Sequence, residues 1–127
     1  MDDKEYEFAI IDCHQGSFIG NCGLMHINLQ NRIAELGYWI RTTQTNMGFA
    51  TQASKLALNF AFDVLRLNRI EIIVETSNKI SQKFAENLGA KKKGLMRKRL
   101  NIHDKLHDAY LYSIVADDYD ALSKTTK

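Results

Sequence analysis

Proline is absent from all 127 residues, cysteine occurs only at Cys13 and Cys22, and no apolar run approaches the ~18 residues a membrane span needs. Without proline there is no candidate for a proline-rich linker, and nothing in the chain reads as an internal repeat or a low-complexity tract. Two cysteines build neither a disulfide framework nor a metal site, so no metal is expected and the simplest setting is a reducing cytoplasm. The start, Met1-Asp-Asp-Lys-Glu5, is acidic and lacks a signal-peptide pattern, so no membrane partner is expected either. Neither sign of charge dominates: a formal net charge of +2 is too small to argue for nucleic acid by itself. What is present is 45% hydrophobic and 25% charged residues, the composition of one globular domain with a real core, taken as 1–127 with its centre at about 6–119.

The chain is organised around Arg41-Thr-Thr-Gln-Thr-Asn-Met-Gly-Phe-Ala-Thr-Gln-Ala53, a polar joint between an apolar strand and a long helix. Gly48 stands where that helix, about Phe49 to Leu65, is predicted to begin. A helix start offers unpartnered N–H groups and the positive end of the dipole, which makes it a natural phosphate site. An ordinary strand-to-helix turn explains the same glycine.

Around this joint, period-2 patterns predict strands at Tyr6–Asp12 and Phe18–Asn28, forming a hairpin through His14-Gln-Gly-Ser17, and at Ala34–Ile40. In the third strand Glu35, Gly37, Trp39 and Arg41 share one face, and Ala34, Leu36, Tyr38 and Ile40 the other. Ala50, Ala53, Ala57, Phe60, Ala61 and Val64 recur at helical spacing, and Leu56, Leu58, Phe62 and Leu65 widen the stripe. Arg69–Glu75 reads as a strand parallel to Ala34–Ile40, because a helix crosses between them. A second helix, about Asn78–Leu88, is capped by Ser77 or Asn78, buries Ile80, Phe84, Ala85 and Leu88, and stops before Gly89. Lys91–Ile102 and Leu106–Ala116 pair as two further strands, and the polar end, about Asp117–Lys127, is expected to fray. The result is an α+β domain: a mixed, mostly antiparallel sheet with a central parallel pair, flanked by two main helices. Such sheets bind ligands where connections diverge beyond the strand ends, which is where Arg41–Ala50 lies.

Ala34-Glu-Leu-Gly-Tyr-Trp-Ile40, Gly48-Phe-Ala-Thr51, Asn78-Lys-Ile-Ser81 with Leu88-Gly-Ala90, and His107-Asp-Ala-Tyr-Leu-Tyr-Ser113 together resemble the GNAT acetyltransferases, and within them the RimJ/RimL-like branch. The resemblance covers about Phe18–Tyr119. It implies acetyl-CoA as co-substrate, with the pyrophosphate cradled by Gln44, Thr45, Asn46, Met47, Gly48, Phe49 and Ala50. The family's pyrophosphate motif falls on Thr45, Gly48 and Ala50, so its leading Gln/Arg is missing unless Gln44 replaces it. The family's usual first strand and helices, which help form the acceptor pocket, have no counterpart in this chain.

The resemblance also implies that Tyr38, Trp39 and Ile40 offer backbone hydrogen bonds to the pantetheine arm, with the Trp39 ring itself packed in the core. Asn78 resembles the cofactor-side asparagine, and Ser81 a group near the leaving sulfur. Acetyl transfer to an amine needs a neutral amine, a polarised carbonyl and a proton for the thiolate. Glu35 and Glu75 are the candidate bases, and Tyr110 is a candidate acid beside Tyr112. His107-Asp108 is read as ordering the hairpin, since neighbours on a strand face opposite ways. Lys91-Lys-Lys-Gly-Leu-Met-Arg-Lys-Arg99 fits an edge strand guarded by charge, with Leu95 and Met96 marking one buried face, or a contact with an acidic substrate or ribosomal RNA.

These readings converge on direct acetyl transfer to a primary amine in a ternary complex, without an acyl-enzyme. The acceptor is a protein N-terminus, a polyamine or another small amine, and a homodimer is compatible with the sequence. The alternative is a catalytically inactive CoA-binding or interaction module of the same shape.

Overall fold

The computed structural model describes residues 5–11, 16, 18–40 and 44–125. Chain order is β1 (Tyr6–Ile11), β2 (Phe18–Asn28), β3 (Ile33–Ile40), α1 (Gln44–Asn59) with a π-helical turn at Phe60–Val64, β4 (Arg69–Glu75), α2 (Lys79–Asn87), β5 (Lys91–Ile102), β6 (Lys105–Val115) and α3 (Ala116–Thr125). The strands form one sheet in the order β1-β2-β3-β4-β6-β5. Every neighbouring pair is antiparallel except β3 with β4, so the expected mixed sheet with a central parallel pair is what folds. The His14–Ser17 turn lies outside the described residues apart from Gly16, and so does Arg41–Thr43.

Alternation decides which face is dry. Ala34, Leu36, Ile70, Ile72, Val74, Tyr112 and Ile114 turn to the helical side and are almost completely buried. There α1 lays its Ala50, Ser54, Ala57 and Ala61 edge toward the sheet, and small side chains permit that close approach. Leu58 and Phe62 are buried as well. Tyr6 and Phe8 of β1 meet Phe60 edge-on at 5.0 and 5.9 Å, which closes the outer end of this layer.

Three departures from the sequence-based expectation have local causes. The first helix starts at Gln44, not Phe49, because nothing in Gln44–Met47 breaks a helix and Gly48 has no positive φ. Gly48 therefore lies in the second turn. At the other end the α-helix stops at Asn59 and widens: Leu65 N–H bonds to Phe60 O at 3.0 Å, the five-residue closure of a π turn. The extra residue rotates the following positions, so Val64, expected inside, is exposed; Leu56, ahead of the turn, is exposed on the outer side of α1. Up to Thr125 the stretch expected to fray does not. Ala116–Thr125 forms a third helix, anchored by Tyr119, whose ring stacks on Phe62 at 4.8 Å and whose hydroxyl bonds to Asn59 and Asp63.

Helix α2 keeps Phe84, Ala85 and Leu88 inside, but Ile80 is 59% exposed and Gln82 is buried in its place. The amide of Gln82 reaches back to Thr76 O at 2.8 Å, which satisfies it as it ties the helix to the end of β4. Asn78 is the cap, its side chain accepting from Ser81 N at 3.0 Å. Gly89 follows the helix at φ +91°, a conformation that an L side chain rarely adopts. Gly89→Ala should therefore lower the melting temperature, by about 4 °C for a penalty of about 1 kcal/mol; a calorimetric scan of both proteins measures it, and an unchanged transition would refute the reading.

Candidate active site at the split between two half-sheets

Strands β3 and β4 pair at only three positions: Ile33 with Arg69, Ala34 with Ile70 and Glu35 with Glu71. Beyond these, β3 stays with β2 as far as Gly20–Ile40, and β4 stays with β6 as far as Glu75–Ala109. The sheet thus opens into two halves, and backbone groups of Leu36–Ile40 and Ile72–Glu75 face each other without a partner strand. Unpaired backbone donors and acceptors are costly to bury, so an extended ligand that pairs with them is favoured. Tyr38, Trp39 and Ile40 all lie on the open stretch.

Helices α1 and α2 both start at the open end, after the C-termini of β3 and β4. Gln44, Thr45, Asn46 and Met47 form the first turn of α1, so their N–H groups, rather than that of Gly48, are those left free by helix geometry. The side chains of Ile40 and Gln44–Met47 lie outside the described part. Phe49 is half-buried and Ala50 fully buried. A Cβ added to Gly48 would meet nothing within 4 Å, so the glycine leaves open space on the exposed side of that turn. Between the helices lies a cavity of about 350 Å³ lined by Thr51, Lys79, Ile80, Lys83, Phe84 and Asn87. The exposure of Ile80 has its explanation here: it walls the cavity.

Among the described residues, a side-chain bond crosses the split. Tyr38 on β3 donates its hydroxyl to Ser81 Oγ on α2 at 2.5 Å, and its ring lies 4.2 Å from that of Phe84. Burial pushes the Tyr38 hydroxyl above its usual range, outweighing the opposite pull of the Ser81 bond, so it stays a proton donor. Sequence reading gave Tyr38 a backbone role only; its tie to a residue 43 positions away has no local signal.

The carboxylates occupy the other face. Glu35 sits at the closed end beside Glu71, and Glu75 is four residues further along β4, roughly 13 Å away at strand rise. His26 Nδ1 lies 2.9 Å from Glu35 Oε2. A carboxylate only accepts, so the proton of that bond is on the imidazole. His26 reaches Glu35 from a bulge, where the β2–β3 register shifts and its φ is +53°, a value uncommon outside glycine. Nothing in the sequence marks His26 as a site residue. Arg69 holds Glu71 at 2.9 Å.

Glu75 is bound more tightly. Ser77 gives it both its hydroxyl, at 2.5 Å, and its N–H, at 2.7 Å, and His107 Nδ1 lies at 3.2 Å. Ser77 and then His107 hold the carboxyl below its ordinary range. His107 was expected only to order the hairpin with Asp108; it pairs with Glu75, while Asp108 accepts from Lys98 N.

Two other expectations change. The Trp39 ring is not core: it is 55% exposed and stacks on Phe18 at 6.3 Å, because it shares the helix-free face with Glu35. Tyr110 lies opposite Val74, one strand beyond the split, with Lys92 Nζ 3.6 Å from its ring centroid, and among the described residues it bonds to none of the other candidates. Cys22 is buried and its thiol pushed up by burial, which fits its exclusion as a nucleophile; Cys13 lies outside the described residues. Among the described residues no group of three or more His, Cys, Asp or Glu is placed to hold a metal ion, and no helix is long and apolar enough to cross a membrane.

A parallel pair that splays, with a helix springing from each strand at the open end, leaves a cleft suited to an extended ligand. The chain belongs to the GNAT acetyltransferase family, whose domain matches residues 1–91. It is 33% identical over 119 residues to an uncharacterized N-acetyltransferase of Bacillus licheniformis, covering 94% of this chain and 67% of that protein. It is 31% identical over 107 residues to the putative ribosomal N-acetyltransferase YdaF of Bacillus subtilis, covering 84% of this chain and 58% of that one. This relative agrees with the RimJ/RimL-like branch read from the motifs. Among solved structures, spermidine N-acetyltransferase SpeG from Vibrio cholerae superposes with a TM-score of 0.84 at 27% identity, over 96% of this chain and 72% of that chain.

The grip on Glu75 yields a prediction. In Ser77→Ala its carboxyl should titrate closer to the ordinary value of about 4.3, as followed by carbon NMR of the side chain. A depressed carboxyl stabilises the fold above its unfolded pKa and loses that contribution as pH falls through the folded one. The variant should therefore be less stable than the parent at neutral pH, with the difference shrinking in acid. An unmoved titration would remove Ser77 as the cause.

Proposed function

We propose that this GNAT domain is an acetyl-CoA-dependent N-acetyltransferase that transfers acetyl directly to a primary amine in a ternary complex. One observation carries the reading: the split separates a carboxylate face, with Glu35 set by His26, from a hydroxyl face, with Tyr38 bonded to Ser81. Acetyl-CoA supplies an acetyl group activated as a thioester. The open edges of β3 and β4 pair with its pantetheine amides as a missing strand would. The first turn of α1, Gln44–Met47, offers N–H groups to the pyrophosphate. The cavity between the helices takes the nucleotide end, with Lys79 and Lys83 at hand for its phosphate and Ile80 and Phe84 for its apolar surface.

The acceptor amine then comes from the Glu35 face and the sulfur leaves toward the Ser81 face. Glu35 takes the proton that the amine must lose, directly or through water, and His26 fixes its orientation. Ser81 hands its proton to the departing sulfur, the Tyr38 hydroxyl reprotonates Ser81, and Tyr38 regains a proton from solvent. Glu75, held ionised by Ser77 and His107, is the poorer base and instead attracts the ammonium form of the incoming amine. Carboxylates along this face support a cationic acceptor, and the relatives named for spermidine and for ribosomal protein substrates support a polyamine or a protein N-terminus. Localisation in the cytoplasm, where acetyl-CoA is made available, fits the same reading.

The direct test is thiol release from acetyl-CoA with a panel holding spermidine, a short peptide with a free N-terminus and a simple alkylamine. Turnover with any of them supports the reading. CoA binding with no turnover on the whole panel would leave a binding module. Glu35→Gln, Ser81→Ala and Tyr38→Phe should each lower kcat by roughly 10²-fold or less, with KM for acetyl-CoA little changed. Full turnover in all three would overturn the assignment of the two faces.

Gly48→Ala separates cofactor binding from stability. With an ordinary φ and space for the methyl group, alanine should raise helix stability by up to ~1 kcal/mol. The same methyl group enters the space assigned to the pyrophosphate, so calorimetric titration should show CoA bound about tenfold more weakly. Equal affinities would place the pyrophosphate elsewhere.

A further inference from the structure

The acetyl-transfer reading leaves unused the most charged stretch of the chain. Strand β5 has six basic residues among Lys91–Arg99 and no acidic residue from Lys91 to Ile102. It is the outermost strand of the sheet beyond β6. All six basic side chains are exposed, and Leu95, expected on a buried face, is exposed with them; only Met96 and Leu100 are half-buried. Lys91 has a carboxylate partner, Asp118 at 3.4 Å, and Lys92 covers Tyr110. Among the described residues no carboxylate forms an ion pair with Lys93, Arg97, Lys98 or Arg99.

Charge that only guards an edge can lie on a regular strand. Here the backbone is reshaped. Pairing with β6 passes from Met96–Ala109 to Leu100–His107, so four steps on β5 match two on β6. Arg97, Lys98 and Arg99 form the resulting bulge. Lys98 has φ +52°, unfavourable for a lysine, and its N–H is held by Asp108 Oδ1 at 2.8 Å. The Asp108 carboxylate at the bulge is thus spent on the backbone, and the three cationic side chains are exposed to solvent. Like charges held together in water repel, and an anion laid across them relieves that cost.

We propose that β5, centred on the Arg97-Lys98-Arg99 bulge, docks the phosphodiester backbone of RNA. Two guanidinium forks on either side of an ammonium suit phosphate oxygens, which arginine binds in pairs. An extended basic strand follows a linear polyanion over several phosphates. No aromatic residue lies on β5 to stack on bases, so the contact reads charge and not sequence. The site lies at the sheet edge, two strands from the split, and works alongside amine acetylation without sharing its residues.

The test is fluorescence anisotropy of a labelled oligouridylate of about 20 nucleotides, titrated with the whole protein from about 50 to 300 mM salt. Each neutralised phosphate on a single strand contributes about −0.7 to the log–log salt slope. Arg97→Gln, Lys98→Gln and Arg99→Gln combined should weaken binding at low salt at least about tenfold and flatten the slope by about 2. Should the bulge fail to form in that variant, Lys92→Gln with Lys93→Gln, both on β5 outside it, should flatten the slope by about 1.4. Lys55→Gln on α1 should change nothing. Binding without salt dependence, the same slope in both multiple variants, or tighter binding to phosphatidylserine vesicles than to the oligonucleotide would overturn the proposal.

Discussion

Strands β3 and β4 begin side by side, share three residue pairs, and then part. Each keeps its outer neighbour to the end, so the gap is not fraying: two intact half-sheets diverge from a common base. Backbone N–H and C=O groups on the inner edges are left facing a space too wide for them to meet. A folded chain tolerates such an opening where a ligand or water satisfies it. The rest of the site follows from this geometry. Both helices that leave the diverging strands start at the mouth of the gap, and the side chains of β3 alternate between its two faces.

That alternation separates the chemistry. Glu35 and Tyr38 are three residues apart, so they must point to opposite sides of the sheet. A carboxylate on one side and a hydroxyl on the other suit the transfer proposed for the gap between them. Each is held by a longer-range partner. His26 comes to Glu35 from a bulge with an unfavourable φ, and Ser81 comes to Tyr38 from the capped first turn of α2. Asn78 has a structural part in this arrangement: by capping α2 it sets the turn on which Ser81 stands.

The two histidine–carboxylate pairs differ in consequence. Glu75 accepts from Ser77 twice and from His107, and this donor shell holds its proton affinity down. Among the described residues Glu35 is bonded by His26, and it stands at the base of the split. Two acidic residues that look equivalent on flanking strands therefore stand in different surroundings.

Much of the architecture was determined by the sequence itself. Period-2 and period-3.6 patterns are local, so the strands, the two main helices, the Asn78 cap, the Gly89 stop and the parallel central pair could all be read from neighbouring residues. The resemblance to GNAT acetyltransferases, carried by four short motifs in order, named the family. Tertiary structure alone decided the rest. Hydrophobicity gave no warning that Ile80 would wall a cavity, or that Trp39 and Val64 would turn outward, because exposure depends on what packs opposite. The bulges that aim His26 and display Arg97–Arg99 depend on pairing with another strand, and the Tyr38–Ser81 bond joins residues far apart in the chain. A sequence pattern records the period of one element; it carries no term for the distance between two, and the site is made of such distances.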